Sequence, residues 1–225
     1  MTHTCDNCGA PIERRLGASR VLACPFCATT QVVVDDVLRS AGSAGAMLDA
    51  PTLLELDRPA VVAGRRVRPV GHLRYSYGPG WWDEFWCEAG RDTVWVSVDE
   101  GDVAIEHPLS DRVRRAGMRL ALGETLELPG VGVTGAPARF TVVEAETAEC
   151  VAFRGELPEV VRLGERHLFF DALGERGAIL SAEQWEEDGE RREAWFVGQW
   201  VDPWTVTHPE DGARGTVTRP AGGAR

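Results

Sequence analysis

The chain has 225 residues, enough for one full-sized domain and a small appendage around a real core. Its 44% hydrophobic and 26% charged residues are a globular composition, which excludes wholesale disorder and collagen-like repeats. All 24 cationic side chains are arginine, set against 35 acids for a net charge of −11. The lack of lysine excludes Schiff-base chemistry and the phosphate-gripping lysines of P-loop and kinase sites, and the acidic balance argues against general nucleic-acid binding.

The chain opens Met1-Thr2-His3-Thr4-Cys5-Asp6, with neither a basic nor an apolar leader segment. No stretch approaches 18 consecutive apolar residues. The expectation is a cytoplasmic protein, not integral to a membrane, whose six cysteines are thiols or metal ligands.

Four of those cysteines form two knuckles, Cys5-Asp6-Asn7-Cys8 and Cys24-Pro25-Phe26-Cys27. The doubled C-x2-C spacing lets four sulfurs converge on one ion, so residues 1–34 are expected to be a zinc ribbon. Gly9 follows the first knuckle where a positive φ is commonly needed. Four thiolates leave no open coordination position, so Cys5, Cys8, Cys24 and Cys27 predict a structural zinc ion. The spacing predicts a hairpin within Ile12–Ala23 and a closing strand over Gln31–Val34. Arg14, Arg15 and Arg20 face Asp6 and Glu13 plus the charge of the thiolates. That is too little positive charge for a nucleic-acid footprint, and a protein partner is the better expectation.

Residues 35–52 are small and Gly/Ser-rich and read as a linker. From 53 to 204 short apolar runs alternate with turn residues. Strands are predicted over 66–77, 81–88, 93–99, 103–106, 139–145, 148–154, 167–170, 178–181 and 193–201, which argues for an all-β barrel or sandwich. Arg112–Leu120 suggests a helical turn or two. The segment 205–225 is expected to be a disordered tail.

The stretch Trp81-Trp82-Asp83-Glu84-Phe85-Trp86-Cys87-Glu88 is the most distinctive. In a strand, Trp82, Glu84 and Trp86 share one face while Asp83 takes the other, so the adjacent acids should not act as a pair. A two-residue hairpin at Ala89-Gly90 would set Glu84 opposite Trp95. Trp82, Glu84, Trp86 and Trp95 are therefore a candidate ligand platform, against a simpler reading in which Glu84 only accepts a tryptophan N–H inside a packed sheet.

Several short signatures follow in order: Gly64, Gly71 and Tyr75; Trp82-Asp83-Glu84-Phe85; Val94 to Glu100; Gly155-Glu156-Leu157-Pro158; Phe170-Asp171; Leu180-Ser181-Ala182-Glu183; and Trp195-Phe196-Val197-Gly198. In this order they resemble the bacterial domain-of-unknown-function family 4178, some of whose members also begin with a Cys-x-x-Cys-Gly-Ala-Pro ribbon, as Cys5–Pro11 does. The resemblance implies a β-rich domain without established activity, associated with membrane-stress and polyamine-related gene sets. Phe170 departs from it, standing where an aromatic hydroxyl often precedes the acid.

Other motifs carry less. Gly130 to Gly135 spells a dinucleotide fingerprint but lacks the helix that would follow it. The five histidines have no ligand spacing, and Cys87 and Cys150 read as small core residues. The acidic run Glu183–Glu190 reads as a solvated hairpin end. Together these features predict a non-enzymatic binding or scaffold protein, a small zinc ribbon tethered to a larger β domain. The alternative is a hydrolase with a cleft lined by Trp82, Glu84 and Trp95, which would show a Glu84 of raised pKa with a histidine nearby.

Overall fold

A computed structural model describes residues 2–34, 37–47, 52–109, 120–131, 137–187 and 189–209. The described residues are mostly antiparallel β. Its N-terminal strands are β1 (Thr2–Thr4), β2 (Pro11–Glu13), β3 (Val21–Ala23), β4 (Thr29–Val34) and β5 (Val37–Ser43). Then come β6 (Ala60–Val62), β7 (Arg65–Ser76), β8 (Trp81–Ala89), β9 (Asp92–Asp99) and β10 (Asp102–Pro108). The last five are β11 (Thr125–Leu128), β12 (Ala138–Leu157), β13 (Arg166–Gly174), β14 (Ala178–Glu187) and β15 (Glu190–Val201). Among the described residues no helix is long and apolar enough to cross a membrane.

Eight of these strands close on themselves. β7 pairs with β8, β8 with β9, β9 with β10 and β10 with β15. β15 then pairs with β14, β14 with β13, β13 with β12, and β12 returns to β7. The sheet is a barrel, and closure leaves none of these eight strands as a bare edge along its whole length. The two strands predicted at 139–145 and 148–154 are one long β12, bulged between Val142 and Glu144, that serves β13 along one edge and β11 and β7 along the other. At the closing seam Gly71 faces Gly155. A Cβ on Gly155 would come within 2.2 Å of the Val70 carbonyl oxygen, at a φ of +74°. Only glycine permits that approach.

Alternation gives the wall an inside and an outside. Outside, Phe85, Cys87, Val94, Val96 and Ile105 pack under Leu54, Ala60 and Val62. On another flank Phe140, Phe170, Leu180 and Trp195 pack under Leu120, Leu126 and Leu128. Inside, Leu73, Tyr75, Trp86, Cys150 and Phe153 fill one end of the barrel, joined by Val21 of the N-terminal module.

The structure departs from the sequence reading in several places. Residues 37–43, expected in a linker, form β5 against β4. No hairpin joins Ile12 to Ala23, because β2 pairs back to β1 and β3 forward to β4. Nor is the module hung on a tether. β3 pairs with the end of β12 at Leu22–Glu156 and Val21–Leu157. The Glu156 carboxylate accepts from the backbone N–H of Arg15 at 2.7 Å, from that of Leu16 at 3.2 Å and from the Ser19 hydroxyl at 2.5 Å. At the other terminus Thr207 bridges Val61, and His208 meets the carbonyls of Pro59 and Leu53, so ordered chain continues past 205. The rest of the expected tail, the helical turn over 112–119, most of the Gly130–Gly135 motif and Asp188 lie outside the described residues.

Candidate functional site

The two cysteine knuckles repeat one backbone turn. Gly9 N–H donates to the Cys5 carbonyl and Ala28 N–H to the Cys24 carbonyl, both at 2.9 Å. Cys5 N–H and Cys24 N–H return to the carbonyls of Ala10 and Thr29. The turn needs a left-handed residue after the second cysteine; Gly9 supplies it at φ +75° as expected, and Ala28 adopts it at +54°. β4 holds the first turn against the second: Asp6 N–H donates to Gln31 Oε1 at 3.2 Å and Asn7 Nδ2 to Thr29 Oγ1 at 2.9 Å.

All four Sγ atoms lie within 4.8 Å of one another. The Cys5–Cys27 and Cys8–Cys24 sulfurs are each 3.8 Å apart. A disulfide requires about 2.05 Å. Thiolates bound at about 2.3 Å around a tetrahedral ion lie about 3.8 Å apart, so the quartet matches a four-sulfur metal cage. Gln31 Nε2 donates to the Cys5 sulfur at 3.5 Å and Asn7 Nδ2 to the Cys27 sulfur at 3.7 Å. The Thr29 hydroxyl leads the contacts that bring Cys27 down to about 6, which favours its thiolate.

A second constellation lies within the barrel. The hairpin after β8 turns on Gly90-Arg91, not Ala89-Gly90, so Ala89 pairs with Asp92 and Glu84 with Ser97. The register therefore differs by two residues from the expected one. An even shift preserves faces, and Glu84 and Trp95 both still point inward. They line a cavity of about 420 Å³. Trp82, Trp95, Phe169 and Phe196 form its aromatic walls. Asp102, Val143, Leu173 and Trp200 lie at its solvent-exposed rim. Trp86 belongs to the packed core at the filled end and does not line the cavity.

A polar belt crosses the cavity strand by strand. Trp82 Nε1 donates to Glu84 Oε1 at 2.9 Å. The Ser97 hydroxyl, opposite Glu84, donates to Glu106 Oε2 at 3.3 Å, and the Ser181 hydroxyl donates to Glu106 Oε1 at 2.7 Å. Asp171 pairs with Ser181 on the far side. Gly198 stands opposite Glu106, where a Cβ would come within 2.0 Å of the Ile105 carbonyl oxygen and 2.8 Å of Glu106 Cγ, so only glycine permits this approach of the two strands. Asp99, Glu144 and Glu183 complete the acids of the interior. None of the described lining residues is cationic.

Burial among like charges moves every one of these carboxyls the same way. Desolvation, with Glu106 and Asp171 nearby, pushes Glu84 up to about 8. Desolvation, reinforced by Asp171, takes Glu106 to about 7, and desolvation with Glu100 takes Asp99 to about 6. Burial also raises Asp171, Glu144 and Glu183. Across the wall the logic reverses. Asp83 points outward, where Arg74 meets both its oxygens at 2.8 and 3.0 Å and His72 Nε2 lies 2.8 Å away. Burial alone would raise Asp83, but these partners outweigh it and hold the carboxyl below its usual range. The adjacent acids do sit on opposite faces.

Of the acids that line the cavity, the sequence reading singles out Glu84 and passes over Glu106, Asp171 and Glu183. The run beginning at Glu183 is largely strand β14, whose alternation turns Glu183 inward. A period-two reading of Phe169-Phe170-Asp171 and of Ser181-Ala182-Glu183 was the available signal.

Fold and site thus define an antiparallel β-barrel with an acid-lined interior, joined to a four-cysteine module at its filled end. The chain belongs to the family of the domain of unknown function DUF4178, whose model matches residues 63–203. That span covers the eight barrel strands and stops short of the N-terminal module. No curated protein and no solved structure matches the chain.

Proposed function

We propose that this chain is a non-enzymatic binding protein whose barrel interior receives a small ligand, while its four cysteines hold a structural zinc ion. The observation that supports the binding reading is the 420 Å³ cavity with aromatic walls and inward polar groups, the usual make-up of a small-molecule site. Zinc is favoured by the all-sulfur donor set and its tetrahedral spacing. A reducing compartment such as the cytoplasm suits free thiolates.

The hydrolase alternative asked for a Glu84 of raised pKa beside a histidine. The first half is met. The nearest interior histidine, His167, instead lies 4.0 Å from Glu183, and burial lowers its own pKa to about 4. General acid–base catalysis also needs two groups whose environments push their pKa values apart. Here the interior carboxyls all move up together, which favours binding over catalysis.

Native mass spectrometry tests this reading. The intact chain, incubated with a small-molecule extract of cells and desalted, is expected to retain a low-mass species. Ala104→Trp, which fills the cavity from a buried wall position, is expected to lose it. Equal retention by both chains, or by neither, overturns the binding reading. Zinc at one equivalent per chain by elemental analysis supports the metal assignment, and a metal-free folded protein refutes it.

A further inference from the structure

We infer that the barrel cavity takes a small organic ammonium ion, its N–H groups held by Glu84, Glu106 and Asp171 and its alkyl body held by Trp82, Trp95 and Phe169. This rests on reading the barrel as a binding site and assigns the ligand class. Three observations carry it. First, once ionised, the interior carboxyls are acceptors without matching donors. The Ser97 and Ser181 hydroxyls and the Trp82 N–H already donate to Glu106 and Glu84. An ammonium group has three donors and no acceptor, so it completes such a site, whereas an anion meets only repulsion.

Second, the carboxylates do not converge on a point. Among the described residues the cysteine quartet is the one group of three or more His, Cys, Asp or Glu side chains close enough to ligate a single metal ion. Carboxylates spread over β8, β10, β13 and β14 suit a cation with several N–H groups and an apolar body. The aromatic walls add cation–π attraction, which a hydrated metal ion would not exploit.

Third, a polar side chain outside the carboxylate set awaits a partner. His167 is 7% exposed, and its Nε2 has no hydrogen-bond partner. It lines a smaller cavity of about 230 Å³ that shares Glu183 with the main one. Held neutral by burial, the ring presents a lone pair that accepts an N–H, as the carboxylates do.

Cation binding favours ionised carboxylates, so it must release protons. Glu84 faces Glu106, Asp171 and Glu159; Glu106 faces Asp171, Ser97 and Ser181; Asp99 faces Glu100, Asp102 and Asp171. Glu183 faces Glu84, Glu106, Glu159 and Asp171 as well as His167, and Arg20 stands with Glu159 and Glu165 on the smaller cavity. Affinity for a cation is therefore expected to rise with pH between about 6 and 8 as these acids ionise.

The test compares 1,5-diaminopentane, 1,5-pentanediol and glutarate, three probes of matched length and different charge, with calcium chloride as a fourth. Titration calorimetry with the full-length, metal-loaded protein is expected to show binding of the diamine alone. The heat should differ between buffers of different ionisation enthalpy, reporting proton release. Glu106→Gln and Glu84→Gln are each expected to weaken the diamine at least tenfold while the unliganded variants melt no lower than the parent. Glu149→Gln, exposed on the outer wall, should leave affinity unchanged. Binding of the diol or glutarate in preference to the diamine, or calcium binding that competes with it, overturns the ammonium assignment and leaves the cavity reading standing. Silence from every probe also overturns the assignment. If native mass spectrometry then finds no retained species, the cavity reading falls with it.

Discussion

The cysteine module and the barrel interior each gather like ionisable groups in one place, and they do so in opposite ways. The sulfurs converge: four atoms lie within 4.8 Å of one another, at the spacing of a tetrahedral cage. The carboxylates diverge: one or two per strand, they ring an open volume, and burial raises their pKa values. Convergence gives a site that a point charge can close. Divergence gives a site that needs an extended ligand. Geometry therefore separates two clusters of like groups: one spaced for a single ion, the other for the extended ligand proposed above.

The largest effect should come from removing the convergence. Structural zinc contributes on the order of 10 kcal/mol to the folding of small modules. Chelation or Cys24→Ser is therefore expected to unfold residues 2–34, seen as loss of hydrogen-exchange protection in β3 and β4. Because β3 pairs with β12 and Val21 shares the core of Leu73 and Trp86, the barrel's melting temperature should fall as well. A barrel transition unmoved by metal removal would show that the Glu156 contacts and shared core contribute little, and would restore the tethered picture.

A smaller effect separates the two faces of β8. Asp83→Asn removes a carboxylate that meets Arg74 twice and His72 once, all buried. Breaking such an arrangement costs about 3–5 kcal/mol. Glu84→Gln, one residue along, removes a buried charge whose neighbours are acids and should leave stability equal or higher near pH 8. Denaturant unfolding of the two variants measures this contrast. Equal destabilisation by both would mean that Glu84 has a cationic partner in the folded protein.

The two sites were not equally legible in the sequence. The quartet is written locally: two cysteines per knuckle fix the turn, and Gly9 marks its left-handed position. The belt is written one residue at a time on strands far apart in the chain, from Glu84 to Ser181, and no spacing rule links them. Strand positions followed from alternation and turn residues, but closure did not, because the Gly71–Gly155 seam joins residues 84 apart in the chain. Strand β5 was hidden because Ser40-Ala41-Gly42-Ser43 has linker composition, and its pairing with β4 overrides that propensity. Glu84 and Trp95 were placed together from a wrong turn, and the reading survived because a two-residue register shift keeps every side chain on its face.

The smallest predicted effect is the pH dependence of the unliganded protein, and its sign is the informative part. A carboxyl that is raised in the folded state binds more protons there than in the unfolded chain over the interval between its two pKa values. Stability is then greatest at the acid end of that interval and falls as pH rises through it. For Glu106, raised from 4.5 to about 7, the loss is roughly 3 kcal/mol when complete. Thiolates protonate in acid and would mask the effect there, so the useful window is about pH 6 to 8, where part of that loss occurs. Melting temperature is expected to fall across this window, and Glu106→Gln should flatten the slope. A melting temperature that rises from pH 6 to 8 would mean that the interior acids are already paired with cations. The cavity would then be occupied in the purified protein, and native mass spectrometry of the same sample would show by what.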